Sequence, residues 1–202
     1  MGLTVANLLT VFRMVMIPLL VTLILSNHEV WAFTVFVIAG MTDLFDGLLA
    51  RWLKQSSRLG ALLDPTADKL LMTACFIALS IPDHPKSIPD FEIANHVPVY
   101  LIIVTISRDV FIVMIALLIH LTSGLGSFPP TMLGKLTTAT QIVTVGMVLL
   151  LNAIGTPEPI VVQGLVWLTL AMTLSSGLHY IYHAARLADG SGSVRPESRS
   201  EG

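Results

Sequence analysis

Six apolar stretches, each close to the length of a bilayer-spanning helix, follow one another along a chain of 202 residues. They cover residues 8–26, 30–54, 61–82, 97–121, 131–151 and 160–182, against the roughly 17 to 25 residues a helix needs to cross hydrocarbon. Lipid offers no partners to a backbone N–H or C=O, so such a succession restricts the chain to an all-α bundle whose helices satisfy themselves. Composition agrees: 54% of the residues are hydrophobic and 12% charged, with a mean hydropathy of +0.81, whereas a soluble domain carries roughly 25% charge. The expected architecture is a polytopic integral membrane protein with six transmembrane helices. The first stretch lacks the short apolar core and small-residue cleavage site of a secretory signal, and reads as a retained span. No strand pattern, repeat or second domain is visible. A net charge of −2 leaves no basic footprint for nucleic acid. The single cysteine, Cys75, excludes a disulfide scaffold.

The connections are written in proline and glycine. Pro82, Pro85, Pro89 and Pro98 bracket one loop, Gly124, Gly126, Pro129 and Pro130 another, and Pro157 and Pro159 a third. After Arg186 the chain turns to glycine, serine and charge, so residues 1–187 read as one membrane domain and 188–202 as a disordered cytoplasmic tail. Arg51, Lys54, Arg58 and Lys69 flank the second connection and Arg186, Arg195 and Arg199 lie in the tail, while the opposite side has only Lys86. By the positive-inside rule both termini and that connection face the cytoplasm.

Charge is concentrated as well as scarce. Eight of the 24 charged residues fall between Asp43 and Lys69, where hydropathy still calls for membrane. An acid at a span centre costs on the order of 2.5 kcal/mol or more, so Asp43, Asp46, Asp64 and Asp68 require a partner or a function. Spacings of three and four put each pair on one helical face. Four converging carboxylates would repel unless neutralised, and hard divalent cations such as Mg²⁺ or Mn²⁺ take oxygen ligands and bridge them to substrate phosphates. Gly47 and Ala50, beside Asp43 on the helix surface, leave room for a bulky ligand, and Arg51 offers a bidentate grip on phosphate. Gly60 allows close approach again. Asp64-Pro65 admits two readings, an N-cap followed by an N1 proline or a proline within a longer helix.

Asp43, Asp46, Gly47, Ala50, Arg51, Gly60, Asp64 and Asp68 together match all eight fixed positions of D-x-x-D-G-x-x-A-R-x8-G-x3-D-x3-D. In this the chain resembles the CDP-alcohol phosphatidyltransferase family. The resemblance implies six transmembrane helices around a cytoplasm-facing polar cavity, a homodimer, and CDP-diacylglycerol as lipid substrate. It implies that Asp43, Asp46, Asp64 and Asp68 ligate two Mg²⁺ or Mn²⁺ ions and that Asp68 is also the catalytic base. Gly47, Ala50, Arg51 and Gly60 are then the CDP contacts. The implied reaction is phospholipid biosynthesis at an inner membrane, with transfer of the phosphatidyl group to glycerol 3-phosphate to give phosphatidylglycerophosphate and CMP.

Phosphatidylglycerol is the alternative acceptor, which would make the product cardiolipin. Arg108 and Lys135, in the fourth and fifth stretches, are candidate ligands for a phosphate carried by either acceptor. The opening NLLTVFR, with Asn7, Thr10 and Arg13, resembles phosphatidylglycerophosphate synthases, whereas ISRDV, GKLTTATQ and HYIYHAAR resemble cardiolipin synthases of the same family. Plainer readings exist for several of these residues. Arg108 and Asp109 also make a neutral ion pair, Lys135 a snorkelling lysine, Arg13 an interfacial anchor, and His179 with His183 an interfacial cap. Two remoter activities share the acidic signal. A membrane prenyltransferase has aspartate-rich motifs in separate halves of a longer bundle, and an ion or proton pathway leaves the two glycines, Ala50 and Arg51 unexplained.

Overall fold

The computed structural model describes residues 5–53, 58–81, 95–123 and 132–191, with side chains described over 11–42, 67–81, 95–115, 121 and 132–182. Six helices follow in order: α1 Val5–Leu25, α2 Glu29–Leu53, α3 Arg58–Leu79, α4 Val99–Ser123, α5 Met132–Ala153 and α6 Pro159–Ser191. No strand occurs among the described residues. Each helix overlaps one apolar stretch of the sequence, because sustained apolarity sets the element. Among the described residues two helical stretches, Met132–Ala153 and Pro159–Tyr182, are long and apolar enough by length and composition to cross a membrane.

Two of the tight connections use the same device. The N–H of Asn27, at φ 60°, bonds the Ile24 carbonyl, and that of His28 bonds Leu23. Gly155, at φ 67°, bonds Asn152 while Thr156 bonds Leu151. Both are left-handed Schellman endings that satisfy the last carbonyls of α1 and α5. One boundary resolves an open alternative and another runs past the change in composition. Helix α3 begins at Arg58 and runs through Pro65, so of the two readings of Asp64-Pro65 the proline within a longer helix holds. Helix α6 continues to Ser191, past the onset of the glycine- and serine-rich composition; residues 192–202 of the expected tail lie outside the described residues.

Helix α1 packs on both α2 and α3, α5 on α2 and α6, and α6 on α4. Over 11–42 and 67–81, α2 and α3 do not pack directly on each other. The core unites Leu20, Phe36, Phe76, Leu79, Val145 and Leu149. Gly146 lets α5 come close to the Phe36 ring: a Cβ there would stand 3.3 Å from Cε1. Polar side chains are buried among the helices, including Gln141, Thr144, Thr169 and Thr173. The Thr144 and Thr169 hydroxyls meet at 2.7 Å, and Thr137 Oγ1 donates to the Met172 carbonyl at 3.1 Å. Large apolar side chains such as Val99, Ile103, Val113, Trp167 and Leu178 stand on the outside instead. With an apolar core inside and large apolar side chains outside, the bundle exposes more hydrocarbon than a water-soluble one does.

One end of the bundle is fastened by two asparagines. Asn95 N–H and Nδ2 donate to Asn152 Oδ1 at 2.9 and 3.0 Å, and Asn152 Nδ2 donates back to the Asn95 carbonyl at 3.0 Å. Asn95 Nδ2 also donates to the Thr156 carbonyl, and the Glu158 N–H donates to Asn95 Oδ1. The segment entering α4 is thereby tied to the α5–α6 turn.

Candidate active site

A cavity of about 470 Å³ opens between α1, α2, α3, α4 and α5, within the ~300–1,000 Å³ range of small-molecule sites. Its wall is mainly apolar, with Phe36, Met72, Phe76, Ile102 and Ile142 among the lining residues. Charged side chains on it belong to Arg13, Asp68, Lys69 and Asp109. Helix register explains the gradient. On α3, Asp68 is followed on the same face by Met72 and Phe76, and on α4 Asp109 is preceded by Thr105 and Ile102, so both walls run from charge into hydrocarbon.

Asp68 is the signature carboxylate whose side chain is described, and it is half exposed (44%) at the charged end. Arg13, although only 1% exposed, donates from Nη1 to Asp68 Oδ1 at 2.5 Å. A guanidinium buried this deeply needs such an anionic partner. Arg13 therefore does more than anchor α1 at an interface: it carries α1 to the carboxylate of α3. Next to Asp68, Lys69 Nζ lies 3.2 Å from Asp109 Oδ2. Asp109 also accepts from Arg108 Nη1 at 2.8 Å, and Arg108 Nη2 donates to Ser176 Oγ at 2.5 Å. Asp109 is thus shared by cations of α3 and α4, and Arg108 ties that arrangement to α6.

The other signature positions belong to helices whose side chains are not described there. Asp43, Asp46, Gly47, Ala50 and Arg51 fall on α2, and Gly60 and Asp64 on α3. By register Asp43 continues the stripe of α2 on which Phe36 and Gly40 line the cavity, and Asp64 stands one turn before Asp68. Among the described residues no group of three or more His, Cys, Asp or Glu side chains forms a metal site. As a donor set, four carboxylates borne by two helices fit a hard divalent cation and fit a soft or nitrogen-preferring metal poorly.

The structure does not bring the two candidate acceptor ligands onto the described cavity wall. Arg108 is engaged by Asp109 and Ser176, and Lys135 is exposed near the start of α5. Tyr180 is buried and His179 exposed on α6, while the His183 side chain lies outside the described residues. Sequence reasoning missed Thr105 and Gln141, both buried on the cavity wall. The available signal was an amide or hydroxyl inside an apolar span, which marks such a residue without saying which way it faces.

Comparison with known proteins bears on the same residues. The family model for CDP-alcohol phosphatidyltransferase matches residues 3–175. A cardiolipin synthase (CMP-forming) of Rattus norvegicus is 31% identical over 199 residues, 91% of this chain and 62% of the relative. A CDP-diacylglycerol--glycerol-3-phosphate 3-phosphatidyltransferase of Cereibacter sphaeroides is 34% identical over 189 residues, 88% of this chain and 77% of the relative. A putative cardiolipin synthase of Mycobacterium bovis is 36% identical over 137 residues, 67% of this chain and 59% of the relative. The chain thus spans about three fifths of the length of the cardiolipin synthases it matches. A match running from α1 into α6, over a signature complete at all eight positions, places the chain in the CDP-alcohol phosphatidyltransferase family.

Proposed function

We propose that the protein transfers the phosphatidyl group of CDP-diacylglycerol to a hydroxyl of a phosphate-bearing glycerol acceptor, releasing CMP. The observation that carries this reading is the complete eight-position signature on α2 and α3, with the Asp68 carboxylate at the charged end of a lipid-like cavity. Asp68 accepts the proton of the acceptor hydroxyl. The freed oxygen bonds to the phosphorus that bears diacylglycerol, and the bond from that phosphorus to the bridging oxygen breaks, so CMP departs with that oxygen. Gly47, Ala50, Arg51 and Gly60 hold the CDP portion, and Arg13 holds Asp68 in place as a positioning residue. Asp43, Asp46, Asp64 and Asp68 would hold two Mg²⁺ or Mn²⁺ ions, which when bound supply charge neutralisation at the phosphates.

Two acceptors suit this chemistry. Glycerol 3-phosphate, giving phosphatidylglycerophosphate, corresponds to the name of the Cereibacter relative. Phosphatidylglycerol, giving cardiolipin, corresponds to the names of the rat and mycobacterial ones. The outward-facing apolar side chains support six membrane spans, and the Lys and Arg distribution supports cytoplasmic termini and a cytoplasmic active site. A homodimer in an inner membrane, with residues 1–187 as the membrane domain, completes the proposal.

The test is CMP release from CDP-diacylglycerol with Mg²⁺ or Mn²⁺ and each acceptor in turn. Addition of a chelator is expected to reduce release to background, and readdition of either metal to restore it. Sustained release in chelator would overturn the metal assignment, and silence with every acceptor would overturn phosphatidyl transfer.

A further inference from the structure

Two residues on the cavity wall carry polar atoms that nothing in the reaction just described uses. Gln141 Nε2 and Thr105 Oγ1 are buried, their residues 5% and 7% exposed, and neither has a hydrogen-bond partner among the described residues. Both residues line the cavity, one from α5 and the other from α4. A buried donor is ordinarily satisfied, and two orphans on one cavity wall mark the place of a missing acceptor. Both groups donate, so one oxygen with two lone pairs satisfies both.

The surroundings restrict what carries that oxygen. From Asp68 the α3 wall passes Met72 and reaches Phe76, eight residues or about 12 Å further along the helix. On α4, Thr105 lies one turn below Asp109, and Ile102 lies below Thr105. A ligand following the α3 and α4 walls meets a proton acceptor, then Lys69 beside Asp109, then the Thr105 level, then the apolar Ile102 and Phe76, with Gln141 on the facing α5 wall. A phosphatidylglycerol molecule presents its groups in that order: a terminal hydroxyl, a phosphodiester, an ester carbonyl and an acyl chain. Glycerol 3-phosphate has no ester carbonyl and no chain, and leaves most of the 470 Å³ unfilled.

We infer that this cavity is an acyl-ester subsite for a lipid acceptor, in which Gln141 and Thr105 donate to one ester carbonyl oxygen and Met72, Phe76 and Ile102 enclose the chain. The inference rests on the phosphatidyl-transfer reading and chooses phosphatidylglycerol between its two acceptors. Gln141 and Thr105 are specificity determinants for that acceptor and take no part in the chemical step.

Full-length protein is assayed with CDP-diacylglycerol and four acceptors: phosphatidylglycerol, its ether-linked dialkyl analogue, deacylated glycerophosphoglycerol and glycerol 3-phosphate. The ester lipid is expected to have a KM about five- to tenfold below that of the ether analogue, as one hydrogen-bonded carbonyl implies. Gln141→Leu is expected to erase that difference while the KM for CDP-diacylglycerol stays unchanged. Thr105→Val, nearly isosteric, should reduce the difference in the same direction and provides the same readout if the leucine variant does not fold. A Gln141→Leu shift in the KM for CDP-diacylglycerol would assign the pocket to the donor's chain and overturn the inference. So would an ester preference that survives both substitutions, or deacylated acceptor used as well as lipid. CMP release with glycerol 3-phosphate alone would remove the subsite and leave phosphatidyl transfer standing; no release with any acceptor would remove both.

Discussion

Asp68→Asn protein is expected to assemble, to melt somewhat below the unaltered chain because the buried Arg13 loses an anionic partner, and to release CMP about 10²- to 10⁴-fold more slowly in its folded fraction, the usual contribution of a positioned general base. Asparagine keeps an oxygen in reach of Arg13 Nη1, so the α1–α3 link has an acceptor in the variant. It lacks the basicity to take a proton and the charge to hold a cation, so both proposed duties fail together. Single-turnover assays with CDP-diacylglycerol measure this directly. Undiminished turnover would mean that the acceptor proton goes elsewhere. Arg13→Lys separates positioning from chemistry, because lysine preserves the charge but not the forked geometry. It is expected to cost less than Asp68→Asn and to be felt in kcat more than in the KM for CDP-diacylglycerol.

The largest loss of stability is expected at the opposite end of the bundle. Asn152→Ala removes the acceptor for Asn95 N–H and Nδ2 and the donor to the Asn95 carbonyl, leaving buried backbone groups unpaired. At roughly 1–3 kcal/mol for each such group, the variant should be destabilised by about 3 kcal/mol. Its melting temperature in detergent should fall clearly, while the KM for both substrates in the folded fraction stays unchanged. Asn152→Asp retains the acceptor oxygen but loses the donor and sets a buried carboxylate against the Asn95 carbonyl, so it too should melt below the unaltered chain. Equal melting of all three proteins would show that this clasp adds nothing to the fold.

Much of the architecture is legible because its determinants are local. The span read at 131–151 is α5 at Met132–Ala153, and the first span is α1 at Val5–Leu25, since apolar length and a following turn residue set both. Boundaries stay open where local cues conflict. Pro65 suited a helix start or a helix interior equally, and α3 is helical from Arg58 with the proline accommodated inside it. At the site, residue identity alone marks the eight signature positions. Pairing is harder to read: Arg13 and Asp68 are 55 residues apart, and their contact follows from α1 packing on α3. The adjacency of Arg108 and Asp109 suggested an ion pair, yet nothing local shows that Asp109 also receives Lys69. Thr105 and Gln141 have no mark in composition, because burial of a single polar group is a property of which helix face meets the cavity.

Helix α1 carries none of the eight signature residues, but α2 and α3 both pack on it. It therefore acts as a gauge block: the thickness of its apolar side chains such as Ile17 and Leu20, together with α5, which also meets both helices, bears on how far apart the two aspartate-bearing helices stand. A change of one methylene there alters the gap without touching any reacting group. Variation in metal radius or acceptor width among proteins with an identical signature is accordingly to be sought in the first helix.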